Sequence, residues 1–206
     1  MVELLVGTTN PGKLHEVQGS LQRLPVKILP LHSLGKWPTV VEDGATYEQN
    51  ALKKAHALAE YSGYLTLADD SGLEVDALNG APGIYSARYG GEEGNDQKNN
   101  EKLLSALKEV PEERRSARFV CVLALCAPNS SGMKQWTVRE FCEGRIALAP
   151  KGSSGFGYDP IFFYPPLGVT FGEIDRETKA RVSHRGKALE KLAQIFPAIM
   201  DLRTKP

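Results

Sequence analysis

The sequence has no excess of charge of either sign: 25 lysines and arginines face 25 aspartates and glutamates, for a formal net charge of zero. Such a chain has no overall field with which to hold a polyanionic duplex or an anionic membrane, so any phosphate it binds must be met by local groups. Cysteine is scarce. Three cannot all pair within one chain, and Cys121 and Cys126 stand five apart on a strand-like run that sends them to opposite faces, so buried thiols are expected rather than a metal site. Long apolar runs are missing as well. The longest, such as Phe119 to Ala127, fall short of the roughly 18 residues that suggest a membrane span. The first residues show neither a basic segment nor a long apolar one of the secretory kind, which leads us to expect a cytoplasmic protein.

What is present suits one domain, or two closely packed lobes: 206 residues, 41% of them hydrophobic, can bury a sizeable core. Val2 to Gly7 reads as a buried strand. Asn10-Pro11 then places a capping residue before a proline suited to the first helical position, and Leu14, Val17, Leu21 and Leu24 recur at helical spacing before a second strand at Val26 to Leu29. The opening unit is therefore βαβ. Thr46 and Gln49 form a capping box for a second helix, which Gly63 ends. Leu65 to Ala68 reads as a strand, and the polar, glycine-rich stretch from Asp69 to Asn95 reads as short strands and turns. A helix from about Asp96 to Leu107 and a charged turn at Glu112 to Arg115 lead to Phe119 to Ala127, apolar enough for a central strand. A loop at Lys151 to Gly157, an aromatic run at Phe162 to Tyr164 and a helical stripe through Leu189, Leu192, Phe196 and Met200 complete the chain. The expected fold class is α/β, a mixed sheet flanked by helices, with two lobes around a central cleft and no separate second domain within residues 1–206.

Gly7-Thr8-Thr9-Asn10-Pro11-Gly12-Lys13 has the spacing of a Walker A loop, but Leu14 stands where that motif needs a hydroxyl to hold magnesium. The ATPase reading fails. What survives is a strand leading into a helix N-terminus, with free backbone amides, two hydroxyls and the Lys13 cation, a combination that favours a polyphosphate. The plainer reading is that Asn10 only caps the helix and Lys13 only lies along its surface.

Without a hydroxyl ligand in that loop, a triphosphate enzyme must hold magnesium on carboxylates, and the candidates are Glu42 and Asp70. Successive strand residues point to opposite faces, so of Asp69 and Asp70 one is expected to act and the other to support. Asp70 is the candidate base, accepting a proton from attacking water beside the metal. A simple Asp-Asp-Ser-Gly turn is the competing reading. Asn50 and Lys54 share one face of the second helix, from which Lys54 can reach a phosphate. Further on, Phe156 lies between two glycines, Gly155 and Gly157, which leaves its ring able to stack on a purine or to plug a loop. Ser183-His184-Arg185 precedes the last helix with donors that favour a 6-keto base, or with a cap and two surface residues.

Taken together, Thr8-x-Asn10-x-x-Lys13, Glu42-Asp43-Gly44, Asn50-x-x-x-Lys54-Ala55, Ala68-Asp69-Asp70-Ser71-Gly72-Leu73, Gly80-Ala81-Pro82-Gly83, Phe156-Gly157-Tyr158-Asp159-Pro160 and Ser183-His184-Arg185-Gly186 resemble the inosine triphosphate pyrophosphatase family, in its bacterial, Ham1-like branch. The resemblance implies an elongated mixed sheet, a homodimer and a magnesium-requiring attack on the α-phosphorus of ITP, dITP or XTP that releases pyrophosphate. It also implies roles. Thr8, Thr9, Asn10, Pro11, Gly12 and Lys13 would bind the triphosphate, Lys54 a phosphate and Ser71 the substrate; Glu42 and Asp70 would hold the metal, with Asp70 also the proton acceptor. Phe156, Gly157, Tyr158, Asp159, Lys179, His184 and Arg185 would hold the base and sugar side. The acidic turn departs from many relatives, reading Glu42-Asp43 where they carry two glutamates. Two other classes compete: a non-catalytic nucleotide sensor, disfavoured by the presence of both carboxylates, and a broader phosphatase releasing orthophosphate. A nucleic-acid-binding module would show a basic excess, and none exists.

Overall fold

The computed structural model describes residues 1–92, 94–129 and 132–204. Strands β1 (Val2–Val6), β2 (Val26–Pro30), β3 (Leu65–Val75), β4 (Ser116–Asn129), β5 (Gly132–Ile146), β6 (Phe162–Tyr164) and β7 (Val169–Thr170) form one sheet in the order β2-β1-β3-β4-β5-β6-β7. β1 runs parallel to both β2 and β3, whereas β5–β6 and β6–β7 are antiparallel, so the sheet is mixed as the sequence pattern predicts. The helices are α1 (Pro11–Leu21), α2 (Tyr47–Ser62), α3 (Asp96–Ala106), α4 (Arg176–Val182) and α5 (His184–Thr204). No helix among the described residues is long and apolar enough to cross a membrane.

The chain divides into two compact units, the first comprising Met1–Asp70, Cys121–Glu140 and Arg185–Pro206, the second Ser71–Val120 and Phe141–His184. In the first unit β1 is buried on both faces. Leu4 and Val6 join Val17 and Leu21 of α1, Leu65 and Leu67 of β3, and Leu189, Leu192 and Phe196 of α5, while Leu5 joins Leu31 and Leu58 on the other side. A strand covered on both sides needs a continuous apolar run, which Val2–Val6 nearly supplies. Each fully buried leucine of this kind contributes roughly 1.5–3 kcal/mol. The second unit gathers Leu73 and Val75, Leu103 and Leu107, Phe119, Ile146, Phe162 and Phe171. Phe119 and Phe162 meet at 4.5 Å between ring centroids, and Phe162 and Phe171 at 4.9 Å. All three cysteines are buried and none forms a disulfide among the described residues, in keeping with the buried thiols expected.

Two local expectations need correction. The strand expected at Leu65 to Ala68 is longer, and the competing turn reading fails: β3 runs on through Asp-Asp-Ser-Gly to Val75, and the apolar alternation resumes at Leu73 and Val75 once the aspartates have passed. Buried carboxylates stay in a strand when partners compensate them, and these have partners. The α2 cap is half of a capping box. Thr46 Oγ1 accepts from the Gln49 amide at 3.2 Å, but Gln49 Oε1 accepts from the Ala45 amide at 2.8 Å, one residue before the reciprocal position.

Candidate active site

The junction of β1 with α1 is built by its side chains. Thr8 Oγ1 accepts from the Asn10 amide at 3.2 Å, and Asn10 Oδ1 accepts from the Lys13 amide at 3.0 Å, so asparagine caps α1 with Pro11 in its first turn. Thr9 and Pro11 are exposed, and Thr8, Asn10, Gly12 and Lys13 half-buried. Lys13 does not lie along the helix surface. Its ammonium stands 2.9 Å from Asp69 Oδ2.

That contact opens a charge cluster within the first unit. Arg185, only 2% exposed, donates from Nε and Nη2 to Asp69 Oδ2 at 3.3 and 3.2 Å and from Nη1 to Glu16 Oε2 at 2.6 Å. Burial alone would push the Asp69 carboxyl up, but Lys13, Arg185 and Lys54 outweigh it and hold Asp69 far below the usual carboxylate range. Asp69 is thus locked as an anion. Lys54 donates to the Asp69 backbone carbonyl at 3.0 Å and pairs with Glu42 Oε1 at 2.6 Å. Burial works against its charge, and Asp69 and Glu42 together overcome it and raise its pKa.

Asp70, one step along β3, sits in different surroundings. It is 7% exposed and takes a hydrogen bond from Asn50 Nδ2 at 3.0 Å. Burial pushes its carboxyl up, the Asn50 bond pulls against that, and the charge of Glu42 adds to the rise, which Lys54 and Lys13 only partly offset. A carboxylate with raised proton affinity is suited to accept a proton. Asn50 is fully buried and has a second bond: its Oδ1 accepts from the Gly44 amide at 2.8 Å. It therefore ties the Glu42-Asp43-Gly44 turn to Asp70. A Cβ on Gly44 would stand 2.7 Å from that oxygen and 2.8 Å from the Gln49 Cβ, so a side chain there would force the Asn50 bond to shift. Asp43 faces away into an exposed pair with Lys53. Among the described residues no group of three or more His, Cys, Asp and Glu forms a metal cage. Magnesium does not require one, since it is commonly held by one or two carboxylates plus substrate phosphates and waters, and two hard oxygen donors are what Glu42 and Asp70 supply.

In the second unit, Phe156 and Lys179 stand together, with the ammonium 4.4 Å from the ring centroid. The same ammonium pairs with Asp159, itself 2% exposed, whose Oδ2 also accepts from the Phe156 amide at 2.8 Å. Gly155 adopts φ +79°, and a side chain there would land on that carboxylate. Tyr158 is committed to the fold, its ring buried and its hydroxyl donating to the Ser86 carbonyl at 2.8 Å. His184 is buried and stacks on Phe119 at 4.7 Å. Ser71 follows Asp70 in β3 and is half-buried.

The structure thus brings Lys13, Lys54, Glu42, Asp69 and Asp70 into one cluster, and Phe156, Asp159 and Lys179 into another. Arg185, expected on the base side through its donors, spends them on Asp69 and Glu16. Glu16 and Asn50 have working positions that the sequence reading assigned to neither. For Asn50 a signal existed: a polar residue beside Ala51 and Tyr47 on the buried stripe of α2 must find partners inside. Nothing in the sequence marks Glu16.

The Ham1 family model matches residues 4–195. The dITP/XTP pyrophosphatase of Syntrophobacter fumaroxidans is 51% identical over 197 residues, covering 96% of this chain and 83% of that protein. That of Geobacter sulfurreducens is 50% identical over 192 residues, 93% and 95% of the two chains. Among solved structures, a HAM1 protein from Coxiella burnetii superposes with a TM-score of 0.87 at 40% identity, covering 96% of this chain and all of that one. The nucleoside-triphosphatase / dITP/XTP pyrophosphatase of Mycobacterium abscessus gives 0.74 at 42% identity, over 93% and 97%. With the same fold, near-complete coverage in both directions and a family match spanning nearly every element, the chain belongs to the Ham1 family.

Proposed function

We propose that this protein hydrolyses ITP, dITP and XTP to the nucleoside monophosphate and pyrophosphate, with magnesium, and so clears deaminated purines from the nucleotide pool. The observation that carries the proposal is the contrast in surroundings between two adjacent aspartates. Asp69 is fixed as an anion by Lys13 and Arg185, whereas Asp70 has raised proton affinity and lies in the field of Glu42 and Lys54. The names of the near-full-length relatives give the substrate class.

In this reading the capped N-terminus of α1 offers backbone amides to the phosphates, and Lys13 and Lys54 supply positive charge against the phosphate oxygens. Asp70 takes the proton of the attacking water. Glu42 and Asp70 would hold the magnesium, which when bound neutralises charge on the phosphates and makes water a better nucleophile. Phe156, with Lys179 over its ring and Asp159 bonded to both residues, supports stacking of the base; Gly157, Ser71 and His184 are assigned to the substrate on the family resemblance alone, whereas Tyr158 and Arg185, whose hydrogen bonds go to Ser86, Asp69 and Glu16, support the fold around it. A homodimer and a cytoplasmic location belong to the same proposal.

The test is pyrophosphate release from ITP, XTP, dITP, ATP and GTP, with and without magnesium. ITP, dITP and XTP are expected to be turned over strongly, ATP and GTP weakly, and activity to vanish in EDTA and return with magnesium. Orthophosphate as the product from ITP rejects the assignment, as does ATP turnover at a comparable rate.

A further inference from the structure

The loop that carries Phe156 is held residue by residue. The Phe156 amide bonds Asp159, the Tyr158 hydroxyl bonds Ser86, and Asp159 pairs with Lys179. Gly157 has no side chain of its own, and with φ +63° it sits in backbone space that glycine visits freely. Left alone it would be the loop's loose joint. It is instead gripped on both polar groups from α3: its amide donates to Asp96 Oδ2 at 2.6 Å, and its carbonyl accepts from Asn100 Nδ2 at 3.0 Å. Asp96 and Asn100 are four apart and therefore neighbours on one helix face.

Asn100 carries a cost that points the same way. It is 9% exposed, and its Oδ1 is buried with no hydrogen-bond partner among the described residues. A leucine at that position would fill similar space without stranding an acceptor, so the asparagine is unfavourable for packing and is justified by its bond to Gly157. Asp96, at the first position of α3, is exposed and bonds the same glycine from water.

We propose that Asp96 and Asn100 are positioning residues for the base side of the site: by clamping the Gly157 peptide they fix the direction of the Phe156 ring, and with it affinity for the purine. The proposal rests on Phe156 stacking on the base as proposed above. Neither residue touches substrate, so their loss acts through the loop.

Steady-state kinetics on ITP with Asp96→Ala, Asp96→Asn, Asn100→Leu and the Asp96→Ala/Asn100→Leu double variant test it. The double variant is expected to raise KM about tenfold with kcat within about twofold, the pattern of lost uniform binding. Inhibition by inorganic tripolyphosphate, a probe of the phosphate side alone, is expected to stay unchanged. Asp96→Asn keeps an acceptor at the Gly157 amide and is expected to restore KM, although it removes the same charge as alanine. Unchanged KM in the double variant overturns the proposal, as does a parallel weakening of tripolyphosphate or an Asp96→Asn variant no better than alanine. Hydrogen exchange over residues 153–158 gives a readout independent of turnover. It is expected to quicken in Asp96→Ala and in the double variant but not in Asp96→Asn. If the wild type releases no pyrophosphate from ITP, the functional reading fails and this exchange arm decides the clamp: unchanged protection overturns it. Should the double variant lose protection everywhere, the comparison of Asp96→Ala with Asp96→Asn, made at an exposed position, decides instead.

Discussion

The carboxyl of Asp70 is buried beside Glu42 and ionises against that environment. Its folded-state pKa is raised, so its contribution to stability is full below the unfolded value and lost as pH rises through the folded one. At neutral pH the ionised group therefore destabilises the fold. Asp70→Asn keeps an acceptor for Asn50 and removes the charge, and it is expected to raise the thermal midpoint at pH 7 while abolishing turnover. The gain should shrink as pH falls through the carboxylate range, which thermal scans at neutral and acid pH will show. A variant that is less stable at pH 7, or that still turns over ITP, contradicts the role given to this residue. Asp69 behaves in the opposite sense. Its pKa is depressed, so its stabilisation is present above the unfolded value and lost as pH falls through the folded one. Arg185→Met strands part of that charge and is expected to cost about 3 kcal/mol at pH 7 by urea unfolding, the lower end for breaking a buried pair, because Lys13 remains.

Residue types and spacing already set Asp69 and Asp70 apart as successive strand residues, and the structure gives the two carboxylates different surroundings. Their partners were not legible in the sequence. Arg185 lies 116 residues from Asp69 and Asn50 lies 20 from Asp70, and separations of that size leave no local pattern.

Secondary-structure elements with strong end signals were readable for the converse reason. Asn10-Pro11 and Thr46 place the starts of α1 and α2, and the αL glycine Gly63 places the end of α2, through bonds made within a few residues. β3 was underestimated because its polar middle imitates a turn, and only tertiary compensation keeps it extended. The α1 cap gives a direct test. Asn10→Ala removes the bond to the Lys13 amide and is expected to cost about 1 kcal/mol of stability, and to raise KM for ITP more than it lowers kcat. Chemical denaturation and steady-state kinetics measure the two effects. A loss confined to stability would leave the cap with a structural role only.

At the level of the chain, the two units have separate cores, yet neither is a contiguous piece of sequence: the boundaries at 70/71, 120/121 and 140/141 fall inside β3, β4 and β5. Strands shared in this way make independent unfolding costly, because melting one unit frays the strands of the other. Leu67→Ala in the first core is expected to cost roughly 2–5 kcal/mol and Phe162→Ala in the second roughly 3–5 kcal/mol, each lowering one common transition. Two resolved transitions in calorimetry, with each variant moving only one, would show that the units melt independently.

The tie between Asp69 and Arg185 also has a bearing on synthesis. A ribosome that has just made the aspartate must add 116 further residues before the guanidinium exists. Until then the acid has at most lysines to balance it, and the nascent first unit can only keep it hydrated or protonated. Completion of this electrostatic lock is therefore a late event, and a half-made chain cannot yet hold the buried acid in its final arrangement.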